Sequence, residues 1–75
     1  MLAQALEHLV RGLVDNPDDV RVTAKSQGRG EILEVSVNPD DLGRVIGKGG
    51  RNAKALRTLI NALADGQKVR VDVVD

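Results

Sequence analysis

The sequence predicts an α+β fold, a two-layer sandwich in which three helices cover one face of a three-stranded mixed sheet. Three observations carry this. Leucines recur at helical spacing in the first 14 residues, valines alternate with polar residues in three separate runs, and two helical patterns lie between the second and third of those runs. The order is therefore α-β-β-α-α-β. One amphipathic sheet needs cover on one face only, and three amphipathic helices supply it.

Leu2, Leu6, Leu9 and Leu13 step by four, three and four, which predicts a helix over residues 2–14. Asp15-Asn16-Pro17 ends it, because proline disfavours helix in the residue before it. "VRVTAKS" then alternates Val20, Val22 and Ala24 with polar residues, as a half-buried strand does. "QGRG" supplies a turn, and "EILEVSV" follows with Leu33, Val35 and Val37 on one face, completing a hairpin.

Asn38-Pro39-Asp40-Asp41 reads as a helix start, with an Asn cap, proline at the first position and two acids at the positive dipole end. The short helix turns Leu42, Val45 and Ile46 inward and stops at Gly47. A longer helix from about Arg51 to Ala64 is expected to bury Ala53, Leu56, Leu59, Ile60 and Leu63, with Lys54, Arg57, Thr58 and Asn61 facing out. After "DGQK", the run "VRVDVV" sets Val69, Val71 and Val73 on one face of a last strand. The thirty or so residues between the second and third strands are enough for parallel pairing. Residues 1–75 are expected to form a single domain, and a chain this short buries only about 60% of its unfolded surface.

Composition excludes several functions. There is no cysteine, hence no disulfide or thiolate metal site. There is no Phe, Trp or Tyr, so single-strand binders that stack bases on aromatic platforms are excluded. The N-terminus lacks a basic n-region and carries Glu7 and Arg11 among its apolar residues, which fits neither a signal peptide nor a membrane span. A cytoplasmic location is expected.

The net charge is zero, but the charge is segregated. Arg44, Lys48, Arg51, Lys54 and Arg57 fall between Leu42 and Ala64 with no acid among them. A local basic patch on a neutral domain suits one anionic partner at one place. At its centre "GKGG" opens into the N-terminus of the longer helix. Glycines accept backbone angles closed to other residues and carry no side chain to hold a ligand away. The helix end offers unpaired N–H groups and a positive dipole, and phosphate is the natural guest.

"VIGKGG" followed by a basic amphipathic helix resembles the Gly-x-x-Gly loop of the KH domain, with Gly47 and Gly50 as the framing glycines. The element order resembles the type II KH fold. "DNPDDV" after the first helix and "NPDDLGRVIGKGGRNAKALR" in the middle are similar to the small bacterial KhpA family, and the resemblance covers essentially the whole chain. It implies a non-catalytic module, an RNA chaperone or post-transcriptional regulator, whose loop grips the backbone of about four nucleotides of single-stranded RNA. By position, Gly47, Lys48, Gly49 and Gly50 are the clamp, Arg44, Arg51 and Lys54 flanking phosphate contacts, and Val45 a wall of the aliphatic base groove. The turn from Asp65 to Lys68 corresponds to the family's variable loop. Ala53 departs from the larger aliphatic residue common at its place, which would thin the packing or widen the groove. The resemblance also implies a homodimer, or a heterodimer with a larger KH-containing protein, and no cofactor.

Rival readings are weaker. A nucleotide P-loop needs G-x-x-x-x-G-K-[ST] after a strand. Here Gly43 to Gly47 is one residue too short, Gly49 replaces the Ser or Thr, and a helix precedes the loop. "GRGEIL" lacks the third glycine of a dinucleotide fingerprint. His8 lies on the polar side of its helix, Asp40 and Asp41 are explained by the helix dipole, and Asp15, Asp18 and Asp19 miss the calcium-loop spacing. Nothing pairs a nucleophile with a base, so no enzyme and no metal site is expected. A KH fold acting mainly as a dimerisation or protein-interaction subunit is the principal alternative.

Overall fold

A computed structural model of the chain describes residues 2–28 and 30–74, with the side chain of Gln27 left aside. The elements are α1 (Leu2–Arg11), β1 (Arg21–Gln27), β2 (Gly30–Ser36), α2 (Leu42–Ile46), α3 (Arg51–Leu63) and β3 (Val69–Val74). Single 3₁₀ turns at Pro17–Asp19, Pro39–Asp41 and Lys48–Gly50 introduce β1, α2 and α3. The order α-β-β-α-α-β is the one expected.

β2 is the central strand of the sheet β1-β2-β3. It runs antiparallel to β1, with Val22 opposite Val35 and Ala24 opposite Leu33. It runs parallel to β3, with Leu33 opposite Val71 and Val35 opposite Val73. The helices deliver Leu6, Val10, Val45, Leu56, Ile60 and Ala64 onto Val20, Leu33, Val35, Val37, Val69 and Val71, which together form the core. The turn of the β1–β2 hairpin starts at Gly28, whose φ of 59° lies in the left-handed region. Arg29 of the expected "QGRG" turn lies outside the described residues. Asn38 caps as its position predicts: its Oδ1 accepts from the Asp40 N–H at 2.9 Å.

The helices differ from the sequence expectation in which apolar residues they bury. α1 closes at Arg11, three residues short of the expected end, because Gly12 is a poor helix former and Leu13 N–H bonds back only to Val10 O, at 2.9 Å. Its buried residues are Leu6 and Val10; Leu2 and Leu9 are half-buried and Leu13 is exposed. Ile46, Leu59 and Leu63, expected inside, are also exposed, at 36%, 44% and 54%. For Leu59 and Leu63 the reason is geometric. α3 presents to the sheet only the narrow stripe Ala53, Leu56, Ile60 and Ala64, and a neighbouring stripe faces α1 and solvent. Ala24, midway along edge strand β1, is exposed as well.

Candidate nucleic-acid interface

The loop between α2 and α3 uses its three glycines in different ways. Gly47 has φ 77° and ψ 170°, a combination open essentially to glycine alone. A Cβ there would lie 2.8 Å from both the backbone N and the side-chain Cγ of Asn52. Gly49 (φ 66°) and Gly50 (φ 80°) are left-handed, yet nothing stands within 4 Å of where their Cβ atoms would be. Gly47 is thus required by the packing of the loop, and the other two hold an open backbone surface.

Hydrogen bonds set the shape of the loop. Gly47 N–H closes α2 on Gly43 O at 2.8 Å, and Gly50 N–H returns to Gly47 O at 3.1 Å. Asn52 Nδ2 donates to Arg44 O at 2.6 Å, which ties the first turn of α3 to α2 across the loop. Gly50 is the N-cap of α3 and offers no side chain to that helix end. Arg51 N–H bonds back to Lys48 O, and no side chain caps the N–H groups that follow it at the loop mouth.

Around this mouth Lys48, Arg51 and Lys54 are exposed. Among the described residues none of the three has an acidic partner within 4.0 Å. Arg44 differs: its guanidinium pairs with Asp15 at 3.0 Å. Val45 differs more. It is fully buried, so it supports the site from beneath and cannot wall an open groove as expected.

Two residues that carry the site's framework were misread or missed in the sequence. Asp41, taken as a partner of the helix dipole, is 1% exposed. Its carboxylate accepts from Asp15 N–H at 3.2 Å, Asn16 N–H at 3.0 Å and Asn16 Nδ2 at 3.0 Å. Burial alone would raise its pKa. The Asn16 side chain, the Asp15 and Asn16 amides and the Arg44 charge outweigh burial, and the carboxyl titrates below its ordinary value. Asn38 Nδ2 adds a bond to Asp19 at 2.9 Å. The segments "DNPDD" and "NPDD" are thereby fastened to each other, which ties the loop after α1 to the start of α2. Asn52, the brace of the loop, had no sequence signal beyond its place in the first turn of α3.

Comparison with known proteins gives this geometry a family. The family model described as "KhpA/KhpB, KH domain" matches residues 3–74. The chain belongs to this family. A Leifsonia xyli protein named "RNA-binding protein KhpA" is 75% identical over all of this chain and 99% of its own length. One of the same name from Streptomyces coelicolor is 61% identical over all of this chain and 94% of its own. Among solved structures, Aquifex aeolicus Era bound to GDP and aluminium fluoride aligns with 96% of this chain and 29% of its own, at TM-score 0.66 and 17% identity. That last likeness concerns the fold alone.

Proposed function

We propose that this KhpA/KhpB-family domain binds single-stranded RNA non-catalytically, holding the sugar-phosphate backbone at Gly47–Gly50 over the N-terminus of α3. One observation carries the reading. Open glycine backbone, an uncapped helix end and three cations without acidic partners among the described residues meet at one spot. The names of the relatives support it. Lys48, Arg51 and Lys54 hold phosphates; Arg44 joins them by exchanging Asp15 for a phosphate. The binding is salt-sensitive and modest in sequence preference, because phosphate contacts position a ligand and base contacts specify it.

A few phosphate contacts give weak affinity, so a second site on a partner multiplies it. The partner we propose is a second copy of this chain or a larger KH-containing protein, seated on exposed Leu13, Leu59 and Leu63. Leu13 and Leu59 line one shallow groove between α1 and α3, and Leu59 lines a second with Arg51 and Lys54, so the partner surface borders the RNA surface. Protein interaction thus accompanies RNA binding and does not replace it. RNA chaperoning or post-transcriptional regulation in the cytoplasm is the setting this implies; no described helix is long and apolar enough to cross a membrane.

Fluorescence anisotropy with short labelled oligoribonucleotides tests the clamp. Wild-type protein binds and Lys48→Asp/Gly49→Asp does not. Equal binding by the two folded proteins contradicts it.

A further inference from the structure

The stretch from Leu42 to Ala64 holds five cations and no acid, yet one acid reaches it from outside. Asp15, in the loop after α1, places a carboxylate oxygen 3.0 Å from the Arg44 guanidinium. The other ion pairs among the described residues, Glu7 with Arg11 and Lys25 with Glu34, lie within α1 and across the β1–β2 hairpin. Of the three, the Asp15–Arg44 pair alone brings a negative charge to the rim of the glycine loop.

The place of Asp15 is built from below. Its N–H donates to Asp41 Oδ1 at 3.2 Å, and the next amide, that of Asn16, donates to Oδ2 at 3.0 Å. Asp41 is buried and is the residue from which α2 starts. Arg44 follows it by three residues, on the same side of the helix. Two amides fixed to Asp41 thus lay the Asp15 carboxylate alongside Arg44. The main chain of Arg44 is fixed as well, since its carbonyl accepts from Asn52 Nδ2, the brace of the loop, at 2.6 Å. The cation therefore stands beside the clamp while an acid holds its side chain.

A guanidinium offers a carboxylate and a phosphate the same planar fork of donors. Asp15 accordingly engages Arg44 as a phosphate would. The two side chains are 58% and 67% exposed, so solvent screens the pair and little is needed to open it. We infer that Asp15 is an affinity-setting residue, an internal competitor that engages Arg44 against the RNA backbone and keeps the hold on a single strand weak. The inference rests on the RNA-binding reading above. Lys48, Arg51 and Lys54 supply the basal hold, and Arg44 adds to it only as far as a phosphate displaces Asp15.

Fluorescence anisotropy with a short labelled oligouridine tests this. The proteins compared are wild type, Asp15→Asn, Arg44→Gln, Asp15→Asn/Arg44→Gln, Asp18→Asn and Lys48→Asp/Gly49→Asp, each checked by thermal melting. Asp15→Asn keeps the N–H that bonds Asp41 and removes the competing charge. It is expected to tighten binding by about two- to fivefold, the range of an exposed ion pair. In the Arg44→Gln background the gain vanishes, because no guanidinium is there to be released. Asp18 is an exposed acid of the same loop with no cationic partner within 4.0 Å among the described residues, so Asp18→Asn leaves the affinity close to wild type. Three results overturn the inference: unchanged or weaker binding by folded Asp15→Asn, the same gain in the Arg44→Gln background, or an equal gain from Asp18→Asn, the mark of a general field. If one of these occurs while the loop double variant abolishes binding, only the role of Asp15 falls. If the loop double variant binds like wild type, the clamp itself is wrong and the inference goes with it.

Discussion

Gly47 and Gly49 look interchangeable in the string "GKGG", yet the structure gives them different requirements. At Gly47 both the backbone angles and the 2.8 Å approach of Asn52 forbid a side chain. Gly47→Ala is expected to destabilise the domain by about 1–3 kcal/mol in urea unfolding and to distort the loop. Gly49→Ala meets open space and bears only the cost of a left-handed backbone, about 1 kcal/mol. Asp41 supplies a pH-dependent prediction. Its pKa is lowered on folding, so its contribution to stability is present above the unfolded-state value of about 3.9 and fades as pH falls through the folded value. Asp41→Asn should therefore lower Tm at neutral pH, and its deficit relative to wild type should shrink in acid. A deficit independent of pH in thermal melts from pH 7 down to 3 would assign the residue a purely steric role.

At the scale of elements, much of the architecture was legible. Val-polar alternation gave the three strands, the Asn38 cap gave the start of α2, and Gly47 gave its end. These signals are local, and local chemistry decides them. Ile46, Leu59 and Leu63 were not legible in the same way. A helix of period 3.6 shows which residues share a face, but α3 carries two apolar stripes and only tertiary packing selects the one that meets the sheet. Ala53, small and 7% exposed, belongs to the selected stripe. The contacts of Asp41 with Asp15 and Asn16 span 25 and more residues, beyond any local pattern. Two substitutions separate the stripes. Leu33→Ala in the fully buried centre should cost about 2–5 kcal/mol. Leu59→Ser should change folding stability by no more than about 0.5 kcal/mol, and sedimentation should show weakened association with a partner.

Over the whole molecule, zero net charge conceals two working faces. Acids at Asp15, Asp19 and Asp41 are spent inside the domain, fastening the loop after α1 to α2. Lys48, Arg51 and Lys54 have no such employment among the described residues and stand around the open loop. The charge segregation was visible in sequence, and the structure adds which cations remain available. Arg44 is the intermediate case, since its guanidinium is paired with Asp15. If three to four phosphates are neutralised, log K should fall against log salt with a slope of about −2 to −3 for a single strand. The most direct test of the account is that slope, measured for a short single-stranded RNA with wild-type protein and with Lys48→Asp/Gly49→Asp. The account predicts a steep slope for wild type and no measurable binding by the folded double variant. A flat wild-type slope, or a double variant with unchanged affinity, would contradict it.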